Sequence, residues 1–256
     1  MSRTRRFHTN THLSRNSLLI LIPLGTVMAA SMLPSMPQDT AYHLFADRRI
    51  LLGIPAFLNV STNFAFLAVG LAGIVLCARY TNLHARWAWL ACFIGVTLVG
   101  FGSSYYHLAP DNDRLMWDRL PMSLAFMALT VAVLAEYLNP RLEKYLLAPA
   151  IVVGLTSVLY WHYADDLRPY ALVQFLPIIM IPAILLLSQR PGPGRGLLLA
   201  ALAVYLISKL AEHYDHAIFA LTGQIISGHS LKHLLAAMAL LIVYGMLRRR
   251  GFQGFQ

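Results

Sequence analysis

Seven apolar stretches, at roughly 54–78, 87–107, 118–138, 145–161, 169–188, 197–213 and 229–247, follow one another with only short polar connections between them. An α-helix rising about 1.5 Å per residue needs about 20 such residues to cross about 30 Å of hydrocarbon. An eighth run, 17–34, precedes them and is long enough to span as well. Only 12% of the residues are charged and 58% are hydrophobic, whereas a soluble domain carries about a quarter charged residues. The expected fold is all-α: a polytopic membrane helix bundle with a seven-helix core and one additional N-terminal helix. Turn residues sit in the connections, at Asn139-Pro140, Pro191-Gly192-Pro193-Gly194 and Ser227-Gly228. The expected organisation is a basic tail, extra first helix and connection over 1–53, the seven-helix domain over 54–247, and a basic tail over 248–256. The basic start and the small residues Ala29-Ala30-Ser31 also fit a signal peptide, but the run is long for one, and a retained helix is the reading adopted. Trp87, Trp89, Trp117 and Trp161 lie at span ends, where an aromatic belt would place them.

The formal charge of +9 is spread over chain ends and short loops rather than gathered on one face, which argues against nucleic acid as a partner. Membrane topology accounts for it better. Alternate connections hold 13 Lys and Arg on one side and 4 on the other. The basic side is expected to be cytoplasmic, with both termini there and Arg248-Arg249-Arg250 as an anchor. The opposite, external loops hold seven aspartates against the single Glu143 of the basic side. The two cysteines, Cys77 and Cys92, both fall inside apolar runs, so neither a disulfide framework nor a thiolate metal site is expected.

Against this background a few polar residues stand out. Gly102-Ser103-Ser104-Tyr105-Tyr106-His107 ends one span, a loop of ten residues is expected, and Asp118-Arg119-Leu120-Pro121-Met122 opens the next. The last span begins His229-Ser230-Leu231-Lys232-His233. Residues four apart share a helical face, so His229 and His233 can hold one zinc ion, with His107 as a third nitrogen from another helix. Three protein ligands and an open position describe a catalytic zinc. Asp118 can orient a ligand or take a proton from bound water. The alternating spans bring Ser103, His107, Asp118, Lys209, Glu212, Asp215 and His229 to the same external side, and ionisable groups at membrane depth are functional candidates. Lys209, Glu212 and Asp215 recur every three residues; Lys209 and Glu212 are expected to neutralise each other, with hydrogen bonding to a ligand histidine as the alternative for this group. His213 and His216 are expected to be exposed, Lys232 to snorkel to the outer interface, and Asn59, Ser61 and Asn63 to bond between helices.

Gly-Ser-x-x-x-His, then Asp-x-Leu-Pro-Met eleven positions on, then a final helix opening His-x-x-x-His, resembles the alkaline ceramidase branch of the seven-helix CREST membrane hydrolases. The resemblance covers about 54–247. It implies zinc on His107, His229 and His233, Ser103 and Asp118 beside the metal, and hydrolysis of an amide in a membrane lipid such as ceramide. The expected chemistry is that of a zinc-dependent amidohydrolase of sphingolipid type, with Asp118 as base and Ser103 donating to the oxyanion. One departure concerns calcium: animal members carry an acid near the start of their first family helix where this chain has Ala56, so calcium is doubtful, with Asp47 the nearby substitute. The alternatives are a receptor or sensor with a structural zinc, a lipid esterase or remodelling enzyme, and a haem-binding electron carrier. The last is disfavoured because ligands four apart on one helix cannot flank a haem plane.

Overall fold

The computed structural model describes residues 11–188 and 194–253. Helix α1 (Thr11–Met32) leads into a connection containing a 3-10 turn (Thr40–His43). Helices α2 (Phe57–Ser61) and α3 (Phe64–Arg79) form one interrupted span. Then come α4 (Arg86–Leu108), α5 (Asn112–Tyr137), α6 (Arg141–Ala164), α7 (Arg168–Leu187), α8 (Arg195–His213), the short α9 (Asp215–Leu221) and α10 (Gly228–Gln253). Among the described residues, seven helical segments are long and apolar enough to cross a membrane. The apolar stretch of α1 is shorter, Ser17–Met32, and α1 packs on α7. The chain is an all-α polytopic bundle. The Pro191-to-Pro193 part of the expected turn and the basic residues Arg3, Arg5 and Arg6 lie outside the described residues.

One boundary differs from expectation in a way that matters. The loop after His107 is not ten residues long. Helix α5 already starts at Asn112, capped by Asp111, whose Oδ1 accepts from the Arg114 N–H at 2.7 Å. Polar residues extend the helix beyond its apolar stretch, so Asp118 sits inside α5, in its second turn.

The two ends of the bundle differ chemically. At one end the connection 33–53 lies across the helices as a strap. Gln38 N–H donates to Asp165 Oδ1 (2.9 Å), Leu167 N–H to the Met36 carbonyl (2.8 Å) and Ala46 N–H to Asp215 Oδ2 (2.9 Å). His43 bridges Tyr106 (2.9 Å) and Asn112 (3.0 Å). Beneath the strap, Arg168 hydrogen-bonds Asp166 and holds that carboxyl down to about 2. At the opposite end Glu136 accepts from Trp89 Nε1 (2.7 Å) and Arg250 Nη1 (2.6 Å), and Glu143 accepts from Ala88 N–H (2.8 Å). The aspartate-rich loops thus gather at the strap, and Arg250, Arg195 and Arg86 at the far end.

Two glycines set the spacing of the helices that matter below. A Cβ on Gly102 would collide with the Trp117 carbonyl oxygen, so its absence lets α4 lie directly on α5 beside Asp118. A Cβ on Gly228 would collide with the Ala211 carbonyl oxygen and crowd Asp215, so α10 starts tight against α8 and α9. Of the four tryptophans, Trp87 and Trp117 are exposed, as a belt requires, but Trp89 and Trp161 are fully buried. Each buried indole has a polar reason to turn inward: Trp89 donates to Glu136, and Trp161 stacks on the Arg119 guanidinium at 4.1 Å.

Candidate metal centre

Gly102 and Gly228 bring the ends of α4 and α10 together under the strap, and three imidazoles meet there. His107, His229 and His233 are 1%, 3% and 2% exposed. Each offers a ligand atom, and these atoms lie within 4.8 Å of one another. His229 Nε2 faces His107 Nε2 at 3.1 Å. Ring centroids are 4.8 Å apart for His107–His229 and His229–His233, and 5.2 Å for His107–His233. The expected i, i+4 pair does share a face of α10, and the third histidine does come from α4.

Hydrogen bonding decides how the His233 ring is protonated. The Thr62 hydroxyl has one proton, and it goes to the Leu58 carbonyl at 2.7 Å. Its oxygen therefore accepts from His233 Nδ1–H at 2.9 Å, which leaves Nε2 with a lone pair for a cation. His107 Nδ1 is buried without a hydrogen-bond partner among the described residues. Three buried, converging imidazoles make a donor set that can hold a metal ion, and the nitrogen ligands suit zinc. Thr62→Val should leave His233 Nδ1–H with only the backbone of Asn59 nearby. Zinc affinity is then expected to fall by about tenfold, the lower end for loss of an outer-shell partner, as read by competition with a chelator of known affinity.

Aromatic rings seal the cluster. Phe45, in the strap, lies 4.4 Å from the His229 ring centroid and 4.8 Å from that of His107. Phe66 approaches His233 from α3 at 6.0 Å. Neither ring nor Thr62 is evident from the sequence as part of a site. Thr62 does belong to a polar stripe with Asn59 (i, i+3), a signal that was open to reading. Ser61 bonds locally instead, to the Leu58 carbonyl at 3.5 Å. Asn59 does bridge helices, its Oδ1 accepting from Ser230 Oγ (2.6 Å) in α10's first turn and from Ser227 Oγ (3.3 Å) just before it. Asn63 bonds back to the Asn59 carbonyl at 2.8 Å.

Ser103 lies one turn before His107 on α4, and Asp118 faces it from α5 where the two helices touch at Gly102. Both line a cavity with His233, Lys209 and Lys232 at its polar end and Ile181, Leu198 and Val243 at its apolar end. His233 to Val243 is ten residues of α10, a rise of about 15 Å. Lys232 does not snorkel outward. Its Nζ bonds Glu212 Oε1 at 2.5 Å, and Lys209 pairs with Glu212 Oε2. In the low dielectric of the bundle a carboxylate partner holds an ammonium more firmly than an apolar stem can carry it outward. Glu212 is thus shared between two lysines, and no hydrogen bond joins it to the three histidines among the described residues. Asp215 touches the cluster through the backbone: its Oδ1 accepts from the His229 N–H at 2.8 Å, fixing the start of α10. His213 and His216 are exposed.

Asp47, the alternative acid for calcium, is otherwise engaged. Arg49 donates to Oδ1 at 2.8 Å and to Oδ2 at 2.7 Å, and its other N–H groups reach the Gln224 and Ile225 carbonyls. Burial pushes the Asp47 carboxyl up, but the Arg49 hydrogen bonds and charge outweigh it and hold the group below its ordinary value.

A family model described as ceramidase matches residues 52–249. The chain belongs to the ceramidase family. The match takes in every helix that supplies an imidazole, together with Ser103 and Asp118. Outside this ceramidase region lie α1 and most of the strap, including His43 and Phe45. A comparison with curated proteins finds no match.

Proposed function

We propose that the protein is a zinc-dependent membrane hydrolase that cleaves the amide bond of an N-acyl lipid. The observation that carries this reading is the convergence of three buried imidazoles, one of which, His233, lines the same largely apolar cavity as Ser103 and Asp118. His107, His229 and His233 would hold the ion. When bound, zinc supplies a Lewis acid for the carbonyl and lowers the pKa of water.

This chain's own residues do the rest. The cavity takes the acyl chain; about 15 Å accommodates a dozen or so methylenes at about 1.3 Å each, from a C–C bond of about 1.5 Å. Asp118 accepts the proton of the attacking water and delivers it to the amine nitrogen as the C–N bond breaks. Water oxygen ends on the carbonyl carbon, giving a fatty acid and a free amine. Ser103 Oγ–H donates to the oxyanion of the tetrahedral intermediate. Phe45 and Phe66 keep the imidazoles dry, and Asp215 fixes the register of α10. The positive-side bias supports cytoplasmic termini, with the strap and the site toward the external leaflet, and α1 as an additional helix outside the seven-helix domain.

A structural-zinc receptor would want a fourth protein ligand; the group formed by the described residues has three. The test is metal analysis of purified protein followed by incubation with N-acyl lipids and their ester counterparts. About one zinc per chain and fatty-acid release from amides faster than from esters are expected. A zinc-replete protein that cuts no amide would overturn the proposal.

A further inference from the structure

Arg119 is the most unusual charge in the molecule. It is 5% exposed, yet among the described residues no carboxylate lies within ion-pairing distance of it. Its guanidinium is clamped by aromatic rings, 4.1 Å from Trp161, 4.8 Å from Tyr170 and 5.5 Å from Tyr42. Nη2 donates to Gln38 Oε1 at 2.8 Å, and Nη1 is buried with no hydrogen-bond partner among the described residues. A buried cation without a counter-charge is costly, and a rigidly stacked one cannot swing out to solvent.

Arg119 also belongs electrically to the proposed site. It follows Asp118, which lines the cavity. Asp118 feels the charges of Lys232, Arg119 and Glu212, and Tyr42 feels all four. Asp118, Lys232 and Lys209 line the cavity, and Glu212, outside its lining, bridges the two lysines, so these four charges balance. Three cations (Arg119, Lys209, Lys232) stand against two carboxylates (Asp118, Glu212), and the unbalanced one is Arg119. A lipid amide whose amine half carries only hydroxyls brings no charge to this group, so Nη1 would stay uncompensated.

We infer that the lipid amide cleaved here carries an anionic oxygen group, a carboxylate or phosphate, on its amine half, and that Arg119 is the specificity-determining residue that receives it. Guanidinium forks match such groups in geometry and charge. The acyl chain then lies in the apolar cavity and the anion beneath the strap, with the amide between them beside Asp118 and Ser103. The inference rests on the hydrolase reading for the reaction but not for the binding of the anion.

The experiment uses zinc-loaded protein and three lipids with one acyl chain: N-lauroylglycine, N-lauroyl-phosphoethanolamine and the neutral N-lauroylethanolamine. At least about a tenfold higher kcat/KM is expected for one or both anions, the scale of one charge-assisted hydrogen bond. Which anion wins separates carboxylate from phosphate. Arg119→Gln should collapse the ratio toward one, and Arg119→Lys should retain part of it. Equilibrium binding to the wild-type protein is measured in parallel with ketone analogues of N-lauroylglycine and N-lauroylethanolamine, which have CH2 in place of the amide N–H. Tighter binding of the ketone acid with no turnover of any amide would sink the hydrolase reading and leave the anion site standing. Turnover of the neutral amide at the rate of the anions, or equal binding of the two ketones, would overturn the anion site.

Discussion

His233→Ala is expected to yield a membrane-inserted protein that has lost its zinc, with amide hydrolysis down by well over 100-fold, since even outer-shell partners of metal ligands cost about 10–100-fold. His233 is 2% exposed, and Thr62 holds its ring so that Nε2 faces the other imidazoles. Alanine removes one of three donors and leaves His107 and His229 facing each other. Two nitrogens 3.1 Å apart then have only a shared proton to hold. Insertion should survive, because the apolar length of α10 is unchanged and span recognition depends on that length. Metal content by mass spectrometry, membrane fractionation and fatty-acid release are read on the same preparation. A variant that retains about one zinc per chain and wild-type turnover would remove the metal centre from the account.

Asp118→Asn should behave oppositely with respect to the metal. The amide side chain is nearly the same size, so α4 and α5 keep their contact at Gly102. It cannot take a proton from water. Hydrolysis is expected to drop by about 10²–10⁴-fold, the usual contribution of a general base, while zinc content stays at the wild-type level. A substitution that lowered zinc content and rate together would make Asp118 a support of the metal rather than a carrier of protons. A substitution that left the rate within about twofold would remove it from the chemistry. The pair of variants therefore separates metal holding from proton transfer.

Much of this was legible in the sequence because its determinants are local. A span is a run of apolar residues, and an i, i+4 histidine pair is a property of one helix, so the seven segments, the shared face of His229 and His233, and the partner histidine on α4 all followed. What was hidden depends on residues far apart in the chain. Lys232 looks like a snorkelling cation until α8 places Glu212 against it, twenty residues away. Trp161 looks like a belt residue until Arg119 of a neighbouring helix lies on its face. The connection after α1 carries no periodicity, and nothing in it marks Phe45 as a wall of the site. The start of α5 was misplaced for a simpler reason: apolar length measures the part of a helix in hydrocarbon, and Asp111 caps a further turn and a half outside it.

The Phe45 ring has a practical consequence for anyone handling the protein. A water-soluble chelator arriving from the strap end meets hydrocarbon before it meets nitrogen, so an ion held there would be slow to strip by dialysis, and competition with a chelator would need long equilibration. Apoprotein is better made by depriving the growing cells of the ion than by extracting it afterwards.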